Sequence, residues 1–165
     1  MKGAAWLLAL FALLEIGHPW TFEALRYDRD GLLHGQIWRA LTAHLVHLGP
    51  VHAAMNSLAV LLLVALCQPQ WTVWGWCWRS AALAVPISLG LLAAVPALAS
   101  YVGFSGVAHG LFVLALWPLA VKGDWIARGC LLYLLGKLGW EMMFGAAVID
   151  SAWIRGAGIV EAHSF

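Results

Sequence analysis

Long apolar runs separated by short polar punctuation dominate the chain, and their lengths predict membrane-crossing helices. Runs near residues 4–18, 50–67, 80–99, 103–121 and 125–147 approach or reach the ~20 residues that a helix needs to cross a bilayer core. A sixth run begins near Gly158 and stops with the chain at Phe165, so its helix rises only about 12 Å and is expected to be incomplete. The expected fold is therefore an all-α membrane protein, one transmembrane domain over residues 1–165, with a sixth helix truncated from about 158. Between Arg79 and Lys122 no charged residue occurs, a stretch long enough for two spans. A turn must interrupt it, and the small and polar residues from Ser100 to Gly103 mark the expected place.

Composition agrees with a membrane setting: 63% of the residues are hydrophobic and 10% are charged, far more apolar than a soluble domain. A net charge of +1 supplies no basic field, so no nucleic-acid partner is expected. Cys67, Cys77 and Cys130 have no metal-ligand spacing, which disfavours a zinc ribbon or a disulfide framework. Lys2 followed by an apolar run resembles a signal peptide, but no small-x-small cleavage site follows, so the run is read as a retained first span. Lys2, Arg79, Lys122 and Arg128 fall on the side of the N-terminus, which favours that side as the inner one. Opposite them stand Arg155 and, in one long loop, Arg26, Arg29 and Arg39. Trp71, Trp74, Trp76 and Trp78 are expected at the inner headgroup belt as lipid anchors.

Polar groups inside spans are costly and need partners, so each is a functional candidate. His47, His52 and Asn56 occur in HLGPVHAAMN, with Gly49 and Pro50 marking a helix start between the histidines. Ser105 and His109 occur in GFSGVAHG among Gly103, Gly106 and Gly110, small residues that allow close helix approach. His163 lies near the start of the sixth run. Spans two, four and six begin at one membrane face, which brings His52, Asn56, Ser105 and His163 to a similar depth, roughly 10 Å or less below the outer interface. A hydroxyl, an imidazole and further hydrogen-bond donors at one depth are the ingredients of acyl transfer. The bland readings are a serine bonded back to its own helix and histidines that only tie helices together, the expected role of His44. No H-E-x-x-H occurs, and no Asp or Glu completes a metal site around His44, His47, His52 and His109, so no metal or other cofactor is expected.

These residues together resemble the rhomboid family of intramembrane proteases. Trp38 and Arg39 resemble its first-loop signature, and His47, His52 and Asn56 its H-x4-H-x3-N pattern on the second helix. Gly103, Phe104, Ser105 and Gly106 are similar to its G-x-S-G, and Ala162 and His163 to the start of its A-H-x-x-G. The resemblance implies a rhomboid-like bundle of six transmembrane helices with Ser105 as nucleophile and His163 as base. It further implies an oxyanion site from the His52 and Asn56 side chains and the Ser105 backbone N–H, with His47, Gly103, Gly106 and His109 in support. His109, four residues after the serine, is similar to the rhombosortase subfamily. That likeness implies location in a bacterial inner membrane with the site toward the outer side. It also implies as partners the lipid bilayer and exported substrates with a C-terminal tail of Gly-Gly, a hydrophobic helix and basic residues. The rival expectation is a catalytically inactive relative that binds membrane clients without cutting them.

Overall fold

The computed structural model describes residues 2–144; His163 and the start of a helix near Gly158 lie outside them. Almost all regular structure is helical. The order is α1 (Lys2–Ile16), α2 (Trp20–Leu25), β1 (Tyr27–Asp28), α3 (Arg29–Leu33), α4 (Arg39–Thr42), α5 (Pro50–Cys67), α6 (Val73–Ala94), β2 (Ser100–Tyr101), α7 (Ser105–Val121) and α8 (Trp125–Phe144). Among the described residues α5 and α6 are long and apolar enough to cross a membrane, and α7 is apolar but shorter. The chain divides into two compact units, one ending at Leu111 and the other beginning at Phe112.

In the first unit α1 packs against α5 and α6, and α4 packs against α6. Its core is drawn from one stripe of each long helix: Leu7 and Phe11, Val60 and Leu63, Trp76 and Ala84, Val107 and Leu111, all at most 3% exposed. Opposite faces carry exposed Leu13, Leu62, Trp74 and Leu89, as lipid-facing surfaces do. Pro50 opens α5 directly after Gly49, whose φ of +155° turns the chain into the helix.

Helix α6 begins at Val73 rather than near residue 80, because the charge of Arg79 does not end it. Thr72 caps the helix, its hydroxyl accepting from the Gly75 N–H at 3.0 Å. The Arg79 guanidinium turns back to donate to the Gly75 carbonyl at 3.0 Å and stacks 4.7 Å from Trp71 and 4.4 Å from Trp78. The tryptophans also divide differently from the expected belt. Trp74 is exposed, but Trp76 is 2% exposed and lies where a Cβ on Gly3 would overlap its indole, so it is a core residue joining α6 to α1.

The interruption expected at Ser100 to Gly103 is present, and it carries a strand. Tyr101 pairs with Tyr27 and Ser100 with Asp28 in an antiparallel two-stranded ladder. The Arg29 N–H donates to the Ala99 carbonyl at 3.0 Å and its guanidinium to the Leu92 carbonyl at 2.9 Å, so the first loop grips the segment after α6. Within that loop Arg39 is the organiser. It donates to the carbonyls of Glu23 at 3.0 Å and Arg26 at 2.8 Å and to Gln36 Oε1 at 2.6 Å, satisfying acceptors that a loop cannot pair internally. Trp38 adds a bond from its indole N–H to the Ala24 carbonyl at 3.3 Å.

In the second unit Gly123, with φ of +99°, ends α7 and Asp124 opens α8, its carboxylate accepting from the Ala127 N–H at 3.0 Å. The Arg128 Nε donates to the Ala120 carbonyl at 2.9 Å, closing the turn with a cation at a helix C-terminus.

Candidate active site

Ser105 is the first residue of α7 and is exposed, although the residues beside it are not. Phe104 is fully buried, packed edge-on against Phe11 with ring centroids 5.1 Å apart, and its carbonyl accepts the first helical bond from Ala108 at 2.8 Å. That anchor presents the serine at the helix start, where the first backbone N–H groups have no intrahelical partner and face the positive end of the dipole. The serine therefore does not bond back to a preceding helical turn, because no turn precedes it.

Gly103 joins this element to the second helix. Its φ is +120°, its N–H donates to the Ala43 carbonyl at 3.0 Å, and a Cβ there would stand 2.8 Å from His52 Cε1 and 2.9 Å from Nε2. Only a residue without a side chain lets the imidazole lie against this backbone. His52 Nδ1 accepts from the Leu48 N–H at 3.4 Å, which leaves Nε2 as the protonated nitrogen of the neutral ring. The donor edge of His52 thus lies beside Gly103, two residues before Ser105.

Asn56, one turn further along α5, is 4% exposed and donates from Nδ2 to the His52 carbonyl at 3.0 Å, using one of its two N–H groups. His47 is 2% exposed and sits edge-on to Phe11 at 4.8 Å and to His52 at 5.2 Å. Burial, with a smaller repulsion from His52, lowers its pKa to about 3, so its ring is a neutral prop for the His52 ring. His44 takes the tying role: its Nε2 donates to Ser88 Oγ at 3.0 Å, and Ser88 donates to the Ala40 carbonyl at 2.8 Å. His109 Nδ1 donates to the Ser105 carbonyl at 2.7 Å, one turn along its own helix. Gly106 and Gly110 lie on the face of α7 toward α6: added Cβ atoms would meet Ile87 at 3.3 Å and Leu83 at 2.7 Å.

Within the first unit, then, the structure brings together Ser105, Gly103, His52 and Gly106, with Asn56, His47 and His109 bonded or packed to members of that group. His163 lies outside the described residues. Tyr101 was not legible as a member; its hydroxyl donates to the Gly103 carbonyl at 3.3 Å, a contact made by strand pairing rather than by any motif. Among the described residues no three His, Cys, Asp or Glu side chains gather as a metal site.

The family model for the Rhomboid domain matches residues 34–157, most of the chain and all of the cluster just described. The chain belongs to the rhomboid family. No curated protein and no solved structure matches it. Rhomboid proteins are in general intramembrane serine proteases acting on membrane proteins within the bilayer, and the apolar helices of this rhomboid fit that setting.

Proposed function

We propose that this rhomboid is an active serine endopeptidase that cleaves membrane-anchored proteins near the outer face of a bacterial inner membrane. The observation that carries the reading is the exposed Ser105 hydroxyl at the start of α7, next to the glycine on which the His52 donor edge rests. In the proposed reaction His163 takes the Ser105 proton as Oγ attacks the scissile carbonyl. The carbonyl oxygen becomes an oxyanion and accepts from the Ser105 N–H, His52 Nε2–H and the second Asn56 N–H. Collapse returns the proton from His163 to the leaving amine, and water, deprotonated by the same imidazole, releases the acyl group. His47 and Gly103 hold His52, Gly106 lets α6 approach, and His109 supports the first turn of α7.

The proposed architecture is one six-helix transmembrane domain over residues 1–165. The likeness of His109 to rhombosortases supports, as substrates, exported proteins that end in Gly-Gly, a hydrophobic helix and a basic tail. The decisive experiment labels detergent-purified protein with a fluorophosphonate and maps the adduct, alongside cleavage of a tail-bearing substrate. The adduct is expected on Ser105. A folded protein that neither labels nor cleaves is instead a client-binding relative without catalysis.

A further inference from the structure

Among the described residues Arg79 is a cation with no carboxylate partner; the ion pairs there are those of Arg26 with Glu23 and Asp28. From Gly31 to Gly123 the chain holds no Asp or Glu. The acidic residues before that stretch, Glu15, Glu23, Asp28 and Asp30, lie at the C-terminal end of α1 and in the first loop, which grips the C-terminal end of α6. Arg79 stands near the other end, in the second turn of α6. Its guanidinium turns back over the first turn, the positive end of the helix dipole, where a cation is least favoured and an anion most. One N–H goes to the Gly75 carbonyl, and the indoles of Trp71 and Trp78 flank the group at 4.7 and 4.4 Å. Those rings hold the guanidinium in place and leave its remaining N–H groups as the part that can bind. Such an edge matches two oxygens of one phosphate.

Two further features give this end of α6 the outline of a lipid. Exposed Lys2 precedes Gly3, which lies against the Trp76 indole; Trp76 meets Trp71 edge-on at 5.1 Å, and Trp71 stacks on Arg79, so the two cations border one aromatic patch. Along α6 the exposed residues Trp74, Trp78, Val85 and Leu89 follow one helix face. From Trp78 to Leu89 that apolar stripe rises about 16 Å, close to half of a ~30 Å hydrocarbon core.

We propose that α6 binds one anionic phospholipid in the leaflet opposite the Ser105 end of the molecule: the Arg79 guanidinium, held by Trp71 and Trp78, donates to the phosphate, Lys2 adds a second positive charge, and an acyl chain lies along Trp78, Val85 and Leu89. Charge selects the occupant, because a zwitterionic lipid brings its own ammonium to a patch that already lacks an anion. The inference needs only the membrane setting and stands whether or not Ser105 is a nucleophile.

The test titrates the detergent-purified protein with phosphatidylglycerol or with phosphatidylcholine of the same acyl chains. Native mass spectrometry measures the fraction carrying one lipid, and melting is followed in each mixture. Phosphatidylglycerol is expected to bind about tenfold more tightly than phosphatidylcholine and to raise the melting temperature. Arg79→Gln should bring phosphatidylglycerol down to the level of phosphatidylcholine. Lys122→Gln, which removes the same charge at the end of α7 away from Ser105, should change binding by less than about twofold, because solvent ions screen a distant charge. Equal binding of the two lipids overturns the proposal, as do equal losses from Arg79→Gln and Lys122→Gln, the mark of a diffuse charge effect. Displacement of the lipid by excess inorganic phosphate also overturns it, since the site would then hold phosphate without needing the acyl chain. If Arg79→Gln does not fold, Arg79→Lys keeps the charge but loses the planar edge and must weaken phosphatidylglycerol binding several-fold; undiminished binding in that variant is equally fatal.

Discussion

At the scale of single residues the site depends on a few contacts that a methyl group or one proton can break. Ser105→Ala is expected to abolish cleavage and labelling while the protein stays folded, because the exposed hydroxyl contributes little packing; residual proteolysis in that variant would remove the central assignment. Gly103→Ala is expected to be nearly as damaging for a different reason. Its Cβ would press on His52 at 2.8 Å from a backbone at φ of +120°, so the ring must move, and kcat should drop with little change in KM. Asn56→Ala should slow turnover by roughly 10- to 1000-fold if its free N–H meets the oxyanion. His47 bears on pH. Its folded pKa of about 3 lies below the ordinary 6.5, so between those values the unfolded chain binds the proton and the folded one does not. Its contribution to stability is complete above 6.5 and is lost progressively as pH falls toward 3. Melting temperatures taken down that range should decline less steeply in His47→Phe than in the unsubstituted protein.

At the scale of elements the sequence was readable where apolar length decided and misleading where charge was taken as a boundary. The starts of α5 and α7 followed from Gly49-Pro50 and from the glycines around Ser105, which mark chain turns whatever surrounds them. The start of α6 did not, because Arg79 reaches back to Gly75 and two indoles and so remains inside the helix. Tyr101 was missed because strand pairing between Tyr27 and Tyr101 joins segments far apart in the chain, and no periodicity encodes it. The packing of α6 on α7 can be tested at Gly110, where a Cβ would stand 2.7 Å from Leu83. Gly110→Val should destabilise the protein by about 1–3 kcal/mol through overpacking, read as a lowered melting temperature in detergent. A variant that melts with the unsubstituted protein would mean that Leu83 can turn aside at no cost.

At the scale of the whole molecule the candidate cluster was legible because HLGPVHAAMN and GFSGVAHG each carry several site residues within one helical start, while its orientation in the membrane rests on charge. The first loop holds Arg26, Arg29 and Arg39, which by simple count oppose an inner N-terminus. Their guanidinium groups are engaged locally: Arg26 with Glu23 and Ser100, Arg29 with the Leu92 carbonyl, Arg39 with the Glu23 and Arg26 carbonyls. Charges fixed in this way serve the local fold, as do Arg79 on the Gly75 carbonyl and Arg128 on the Ala120 carbonyl, which leaves Lys2 and Lys122, both on the side of the N-terminus, to favour that side as the inner one. The loop and the Ser105 end of α7 are therefore expected on the outer face, and the Lys122 turn on the inner one. With Cys67, Cys77 and Cys130 replaced by Ala, Leu33→Cys in the exposed first loop should react with a membrane-impermeant maleimide in spheroplasts whose inner membrane is intact. Lys122→Cys should react only after that membrane is permeabilised. The reverse pattern would place the Ser105 hydroxyl on the cytoplasmic side, where exported proteins could not present a cleavage site to it after translocation.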